Sequence, residues 1–263
     1  MKRDISHEGL KLVACLTMLI DHIGYEIIYP IYASMSVVNA TDLPEMRMIY
    51  RLYVLCRCIG RISFPIFAFL LVEGMHHTKD RKKYAQRLAI SAILAEIPYN
   101  LVVSGEISCT KQSVMATLLL GFLAVHYMEK CRSLAWKPVV ILPFGILAEV
   151  FRVDYRWEGI VLIALFELSR EMYSPNFVRT GGMIVLFHHM GSRILHIGNF
   201  TLPMQVLGVL SMVFIANYSG RKLTRSKAVQ WGFYLFYPVH LLILWGIGQM
   251  IPRILTLGIS VAM

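Results

Sequence analysis

The residues of this chain with the clearest chemical potential are Lys11 and His22, eleven positions apart in its first hydrophobic segment. Eleven steps of about 100° complete roughly three helical turns, so on an α-helix the two side chains would share one face about 16 Å apart. Asp21 adds a third ionisable group. Such groups cost about 2.5–3.5 kcal/mol each in a bilayer and usually face the protein interior or a water-filled path. The alternative is a lysine that snorkels to the headgroups and a histidine bonded to a neighbouring helix.

His22 has the properties of a general base for an attacking amine or hydroxyl group, provided that another group fixes its tautomer. Asp21 is one candidate for that role. Adjacent helical side chains point about 100° apart, however, which favours a carboxylate on another helix, such as Glu96. His240, in the segment FYPVHLLIL, is a second candidate polar group at the same site, and a hydrogen-bonded contact between helices is its alternative interpretation.

Arg57 and Arg61 are four residues apart and therefore face the same way on a helix. Two guanidinium groups inside a membrane require anionic or carbonyl partners. One interpretation is an ion pair that holds helices together, with Asp21, Glu96 or Glu149 as the partner. The other is an anchor for a substrate or a thioester carbonyl, which suits the bidentate geometry of arginine. The predicted catalytic set is His22, Asp21, Arg57 and Arg61.

No motif in the sequence predicts a metal or nucleotide site. Histidine pairs occur at His76–His77 and His188–His189, but neighbouring helical side chains diverge, and neither H-E-x-x-H nor C-x-x-C is present. The chain also has no Walker P-loop, no G-x-G-x-x-G and no G-x-S-x-G. We therefore expect no metal cofactor.

The composition indicates an integral membrane protein. Of the 263 residues, 57% are apolar and 16% are charged, and the mean hydropathy is +0.59, whereas soluble domains have about 25% charged residues. The formal net charge of +10 is compatible with nucleic-acid binding, but the basic residues fall in short loops between apolar segments. We therefore predict an all-α, polytopic helical bundle in the cell membrane, with the lipid bilayer and not nucleic acid as its partner.

Apolar segments predict about nine membrane spans in one domain that covers residues 1–263. The spans lie near 8–30, 50–74, 84–102, 113–130, 138–152, 157–171, 180–197, 200–218 and 228–251. Two of them, 138–152 and 157–171, are shorter than the roughly 20 residues of a perpendicular span, so we expect them to be tilted, broken or re-entrant. Most Lys and Arg residues fall in the N-terminus and alternate loops, which predicts a cytoplasmic N-terminus.

In this topology Lys11 lies near the cytoplasmic face, and His22 lies about three turns inward, at a depth similar to the two arginines. The densest basic run, HHTKDRKKYAQR, also faces the cytoplasm, and GRKLTRSK is a second basic stretch. Such runs usually set topology or bind anionic lipid. A second use is to dock a phosphate-rich donor such as coenzyme A.

Several stretches of the chain resemble the TraX family, named for a conjugative protein that acetylates pilin N-termini. They span residues 10–244 in consistent order and read LKLVACLTMLIDHIGY, RCIGRISFPIFAFLLVEGMHHTKDRKKYAQRLAISAILAEIPYNL, TLLLGFLAV, VDYRWEGIVLIALFEL and FYPVHLLIL. TraX proteins are distantly similar to the transmembrane acyltransferase superfamily. In many of its members a basic residue precedes the catalytic histidine by eleven positions, as Lys11 precedes His22. One departure is Arg156, in VDYRWEG, where the resemblance leads us to expect a small residue.

The resemblance implies transfer of an acetyl group from cytoplasmic acetyl-CoA to an amino or hydroxyl group of a pilin-like peptide or another envelope acceptor. His22 would act as the general base, and Arg57 or Arg61 would support charge on the thioester oxygen. The residues expected to bind acetyl-CoA are Lys11, Glu73, His77, Lys79, Arg81 and Lys82. Those expected to bind the acceptor are Glu96, Asp154, Tyr237 and His240.

Two other functions fit the same residues. A transporter would use the buried Arg, His and Glu side chains as a path for protons or substrate, although its expected internal repeats are not found in the sequence. A structural assembly factor without catalysis would neither bind acetyl-CoA nor be stabilised by it.

Overall fold

The structure is a computed structural model that describes residues 4–37, 44–108, 110–190, 194–197, 200–224 and 226–262. These residues are almost entirely helical, which confirms the all-α class. The α-helices are α1 (His7–Ile23), α2 (Tyr29–Val37), α3 (Pro44–Gly60), α4 (Ser63–His77), α5 (Arg81–Ser104), α6 (Val114–Met128), α7 (Lys137–Val150), α8 (Arg156–Leu168), α9 (Pro175–His189), α10 (Ser211–Ala216) and α11 (Lys227–Ala262). A π-helical turn, Gly24–Ile28, joins α1 to α2, and 3₁₀ turns occur at Leu134–Trp136, Ser169–Glu171 and Met204–Leu210.

Four helical stretches of the described chain are long and apolar enough to cross a membrane, and they make the protein a multi-pass membrane protein. They are His7–Met35, Pro44–His77, Arg81–Ser104 and Lys227–Ile251. Helix α6 and the segment Met204–Ala216 are apolar but shorter. Nine full spans are not confirmed, because α7, α8 and α9 contain only 14, 13 and 15 residues, fewer than the roughly 20 that a perpendicular span requires.

Local sequence signals define several helix ends. The Ser6 hydroxyl caps α1 by accepting a hydrogen bond from Gly9 N at 3.0 Å, and the Asp80 carboxylate caps α5 by accepting one from Lys83 N at 2.9 Å. Both residue types are preferred at this position because they satisfy an orphan backbone N–H. Gly105 ends α5 with a φ of 73°, a left-handed conformation that glycine adopts without strain.

Helix α4 lies at the centre of the molecule. Its side chains are apolar around nearly the whole circumference, which is typical of a helix surrounded by protein. It packs against α1, α6 and α8. Its most buried side chains are Phe64, Ile66, Ala68, Phe69, Leu70, Leu71, Val72 and Met75. The helices that carry polar side chains are therefore arranged around an apolar centre.

Two glycines let the first helical stretch approach α3 closely. A Cβ atom on Gly24 would lie 2.7 Å from Cβ of Cys56, and one on Gly60 would lie 2.2 Å from Oδ1 of Asp21. Neither distance is sterically possible without a shift of the neighbour. Small residues at a helix interface allow the backbones to come together, and here they bring the polar end of α1 against the polar end of α3.

The region predicted as spans 180–197 and 200–218 differs from the expectation. Helix α9 ends at His189, and the chain then forms an antiparallel hairpin in which β1 (Ile194–Ile197) pairs with β2 (Phe200–Pro203). Apolar content alone does not distinguish a short strand from a helix. Gly-Asn stands between the two strands in the sequence, and such a pair favours a two-residue hairpin connection. The prediction of two helical spans in this region was wrong.

Candidate active site

His22 forms a hydrogen bond with a second histidine from the other end of the chain. In the last turn of α1, Nδ1 of His22 lies 2.7 Å from Nε2 of His240 on α11. Nδ1 of His240 lies 2.6 Å from the carbonyl oxygen of Phe236, one turn earlier in the same helix. The ring of Tyr237 packs edge-on against both imidazoles, with centroid distances of 6.5 and 5.8 Å. Two segments far apart in sequence therefore build one imidazole pair.

The contacts of this pair define its tautomers. A backbone carbonyl oxygen can only accept a hydrogen bond, so His240 carries its proton on Nδ1 and donates it to Phe236. Nε2 of His240 is then an acceptor, and it receives the Nδ1 proton of His22. Neutral His22 consequently has an unprotonated Nε2, which is the form required of a general base.

Glu96, the carboxylate suggested as the partner of His22, has other contacts. Its Oε1 accepts a hydrogen bond from Nδ2 of Asn100 at 2.8 Å, and its Oε2 accepts one from Ser113 N at 3.4 Å. These bonds tie α5 to the start of α6. In the described part of the chain, His240 and not Glu96 contacts the His22 imidazole.

Asp21 forms ion pairs with both arginines. Its Oδ2 accepts a hydrogen bond from Nη1 of Arg57 at 2.8 Å, and its Oδ1 accepts one from Nη2 of Arg61 at 2.9 Å. Arg61 also donates from Nε to the Arg57 carbonyl and from Nη1 to Oε1 of Gln205, both at 3.0 Å. All three donor groups of Arg61 are therefore engaged, whereas the described hydrogen bonds of Arg57 involve Nη1 alone.

Asp154 lies in a strained turn between α7 and α8. The residues around it have positive φ angles, 50° at Arg152, 61° at Tyr155 and 41° at Arg156, a region that L-residues with side chains rarely occupy. The Tyr155 ring stacks on Phe64 with a centroid distance of 3.8 Å. The left-handed φ at Arg156 gives a physical reason to expect a small residue there. The packing of the turn holds Asp154 towards the centre of the molecule.

These groups surround a cavity of about 310 Å³, which we call the base cavity. Six of its polar or aromatic lining residues lie on α1, at or just after the end of α3, and in the α7–α8 turn. They are Asp21, His22, Arg57, Arg61, Asp154 and Tyr155. An imidazole with a free lone pair, two guanidinium groups and two carboxylates thus face one space. Acid–base and anion-stabilising chemistry are both compatible with that set.

A second cavity, which we call the lysine cavity, has a volume of about 210 Å³. Its charged or titratable lining residues include His7, Lys11, Glu73, His77, Arg87 and Lys222. Nζ of Lys11 lies 5.1 Å above the ring of Phe233, and Lys11 forms no ion pair among the described residues. The Tyr218 hydroxyl lies 3.1 Å from Nδ1 of His7, and burial raises the pKa of that hydroxyl to about 12. Because Lys11, Arg87 and Lys222 outnumber Glu73, the rim of this cavity is predominantly cationic.

The two cavities adjoin. They share four lining residues, Met18, Phe67, Val114 and Tyr237. Lys11 lines one cavity and His22 lines the other, and both belong to α1. The side chains predicted to lie three turns apart on one helix thus face two neighbouring compartments.

The remaining predicted donor-binding residues have different surroundings. Glu73 lines the lysine cavity but forms an ion pair with Arg170. Arg81 forms a bidentate ion pair with Glu129. The structure places Lys79, Arg81 and Lys82 on the exposed loop and the start of α5, outside the lining of both cavities.

Several lining residues were not predicted from the sequence. Gln205, Tyr99 and Tyr155 line the base cavity, and His7 and Arg87 line the lysine cavity. Lys222, which also lines the lysine cavity, belongs to the basic stretch GRKLTRSK. Tyrosine and glutamine have no spacing signal in an apolar segment, so only the packing of the helices identifies them.

Comparison with known proteins identifies the family of the chain. The family model described as TraX protein matches residues 6–248. A relative, the probable fimbrial assembly protein FimC, serogroup H1, of Dichelobacter nodosus, is 29% identical over 213 residues, which cover 73% of this chain and 82% of the relative. No solved structure gives a significant match. Since the family model covers nearly the whole sequence, the chain belongs to the TraX family.

Proposed function

We propose that this protein is an integral-membrane acyltransferase that transfers an acetyl group from acetyl-CoA to an amino group of a pilin-like or envelope acceptor. The observation that carries the proposal is the chain of hydrogen bonds from His22 through His240 to the Phe236 carbonyl. It leaves a basic imidazole nitrogen in a cavity that adjoins a second, cation-lined cavity. One compartment suits the reaction, and the other suits an anionic donor.

In this proposal acetyl-CoA occupies the lysine cavity from the cytoplasmic side. Lys11 and Lys222 line that cavity, and their ammonium groups would attract the phosphates of coenzyme A as point charges. The thioester would pass the residues common to both cavities and reach the base cavity. The lining of the lysine cavity also includes apolar side chains of α4 and α6, against which the pantetheine arm would pack.

Once the acceptor amine is neutral, the reaction in the base cavity balances with His22 as the proton carrier. Nε2 of His22 takes a proton from the acceptor amine while its nitrogen attacks the carbonyl carbon of the thioester. The tetrahedral intermediate carries a negative oxygen. When the C–S bond breaks, the leaving thiolate takes the proton back from Nε2, and the products are an acetamide and free coenzyme A.

The two arginines would have different roles. Arg61 uses all its donor groups on Asp21, Gln205 and the Arg57 backbone, so it is a structural residue in this proposal. Arg57 has donor atoms beyond the one bonded to Asp21, and these would stabilise the oxyanion. Asp21 would hold both guanidinium groups in place.

The proposed acceptor is supported by the position of Asp154 and by the comparison with the Dichelobacter relative. The name of the Dichelobacter relative refers to fimbrial assembly, which favours a pilin-like acceptor with a free N-terminal amine. Such an amine is protonated at neutral pH. A partly buried carboxylate such as Asp154, which lines the base cavity, would hold the ammonium group and accept its extra proton, so that a neutral amine reaches His22.

The test is acetyl transfer by the purified protein in lipid nanodiscs, with radiolabelled acetyl-CoA and peptides that carry a free or a blocked N-terminus. Removal of a general base costs about 10² to 10⁴ in rate, so His22→Ala should lose nearly all transfer. His189→Ala is the matched control, because His189 is an exposed histidine whose hydrogen bond among the described residues is to the Val185 carbonyl of its own helix. We expect that control to retain the parent rate.

Transfer that survives in His22→Ala at the parent rate would remove His22 from the reaction. The transporter alternative predicts a different result, namely proton-coupled flux in liposomes without any acyl donor. If flux occurs and no labelled product forms with any acceptor, the buried polar groups serve transport and not acetyl transfer.

A further inference from the structure

Three side chains, one from each of three helices, converge at the C-terminal end of α4. Nε2 of His76 lies 2.7 Å from Oε2 of Glu167 and 3.6 Å from Oε1 of Glu129. The ligand atoms of all three residues lie within 4.8 Å of one another. They line a cavity of about 280 Å³. This cluster belongs to neither the base cavity nor the lysine cavity.

The separations match the coordination of a small metal ion. Two ligand atoms bound to Zn²⁺ at about 2.1 Å in tetrahedral geometry are about 3.4 Å apart. The His76–Glu129 distance of 3.6 Å is close to that value, whereas the His76–Glu167 distance of 2.7 Å is that of a hydrogen bond, which would lengthen around a bound ion. One imidazole nitrogen and two carboxylate oxygens form a mixed ligand set that suits Zn²⁺ and similar first-row divalent metals. Three protein ligands leave a fourth position for water.

The backbone at this place also favours a cation. His76 lies in the last turn of α4, Glu167 lies in the last turn of α8, and Glu129 is the C-cap of α6. Each helix C-terminus carries a partial negative charge of about half an electron. A carboxylate at such an end is electrostatically unfavourable, and here two carboxylates accompany three helix ends. Arg81 bonds Glu129, and Arg132 and Lys137 line the same cavity, so part of this negative charge is compensated and a bound cation would compensate the rest.

Neighbouring residues would support the ligands. Arg81 donates two hydrogen bonds to Glu129, and outer partners of this kind commonly orient carboxylate ligands. Glu167 is buried, with 7% of its surface exposed. Lys137, also in the cavity lining, is bonded to Glu171 at 2.9 Å and not to the three central groups. Glu129 thus keeps Arg81 as an outer partner, and the hydrogen bond between His76 and Glu167 is the contact that a metal ion would replace.

We propose that His76, Glu129 and Glu167 bind a divalent transition-metal ion, with Zn²⁺ as the probe, and that this ion ties together the ends of α4, α6 and α8. The site is structural. It does not depend on the acyl-transfer proposal, because no residue of the cluster lines the base or lysine cavity.

The experiment uses the full chain, purified with a tag that contains no histidine and stripped with a chelator. Zinc content by mass spectrometry and the melting temperature in detergent are measured during titration with Zn²⁺. We expect one equivalent of zinc per chain and a rise in melting temperature with metal concentration, since a ligand that binds only the folded state stabilises it. Parent protein that binds no zinc at micromolar concentrations, or that binds Mg²⁺ in preference, would overturn the proposal.

Variants locate the binding. Loss of a supporting partner of a metal ligand already costs about 10- to 100-fold in affinity, so His76→Ala and the nearly isosteric Glu129→Gln should each weaken zinc binding by about 100-fold or more. His189→Ala should bind zinc like the parent. Because Glu129→Gln keeps the side-chain volume, it tests the metal site even if His76→Ala does not fold. Zinc binding retained at parent affinity in Glu129→Gln, or lost in His189→Ala, would refute the assignment of these ligands.

Discussion

At the scale of the residue, the proposed role of His22 as a base depends on a carbonyl oxygen two hydrogen bonds away. The Phe236 carbonyl fixes the proton of His240, and His240 in turn fixes the proton of His22. The orientation of the His22 ring comes from the neutral imidazole of His240 and not from a carboxylate. A neutral partner adds no buried negative charge beside the base, which avoids the desolvation cost of another ion in the membrane.

Replacement of His240 tests this positioning role. In His240→Ala, His22 loses its acceptor, and we expect kcat for acetyl transfer to fall about 10²-fold, as a misplaced group can cause, with little change in KM for acetyl-CoA. In His240→Gln an amide oxygen can accept the same proton, so part of the loss should be recovered. Steady-state kinetics of both variants are the measurement. Equal losses in the two variants would contradict the positioning role.

Asp21 supports a different prediction, on stability. Its carboxylate is 11% exposed and bonded to side chains of Arg57 and Arg61 that are 22% and 14% exposed. Breaking a buried ion pair by removal of one partner costs about 3–5 kcal/mol, because the other charge is left uncompensated. Asp21→Asn should therefore lower the melting temperature markedly. Glu106→Gln, at an exposed carboxylate, should leave it nearly unchanged, and equal melting temperatures for both variants would exclude the structural role of Asp21.

At the scale of the element, close helix approach determines where the polar groups meet. Helices α1 and α3 contact each other through Gly24 and Gly60, and the same approach brings Asp21 to the two arginines. The long apolar helices were predictable because their length and hydropathy are local properties. The hairpin β1–β2 was not, since its apolar residues fit a helix equally well by composition.

Two glycine variants test the helix contact. Gly60→Ala places a Cβ atom 2.2 Å from Asp21 Oδ1, whereas Gly181→Ala on α9 meets no atom within 4 Å. We expect Gly60→Ala to lower both the melting temperature and the transfer rate. Gly181→Ala should be neutral or stabilising, since alanine is favoured over glycine in helices by about 1 kcal/mol. Thermal unfolding in detergent measures both, and a Gly60→Ala protein as stable as Gly181→Ala would show that the contact is not tight.

At the scale of the whole molecule, two cavities lie side by side, and in the proposed reaction one would bind the donor and the other would hold the reacting groups. The residues that they share come from α1, α4, α6 and α11, so no single helix forms the passage. The cytoplasmic position of the N-terminus remains a prediction from the loop charges. If it holds, the lysine cavity faces the compartment that supplies acetyl-CoA.

A bulky residue at the shared wall tests the passage. Val114 lines both cavities, and Val114→Trp would narrow the connection without removing a charged group. We expect coenzyme A binding, measured by calorimetry, to change little while acetyl transfer falls about tenfold or more because the thioester no longer reaches His22. Ile93→Trp, at a side chain that is 73% exposed on α5, is the control. Unaltered transfer in Val114→Trp would exclude the proposed route.

The sequence by itself determined the helical membrane class, the placement of Lys11 and His22 on one helix, and the pairing of Arg57 with Arg61 on another, because helical periodicity and hydropathy are local. Tertiary structure alone decided the partners: His240 for His22, Asp21 and Gln205 for Arg61, and the cluster of His76 with Glu129 and Glu167. Those residues are far apart in the chain, and which helix faces meet depends on packing that no local pattern records. The absence of a metal motif in the sequence has the same origin, since the proposed ligands come from three separate helices.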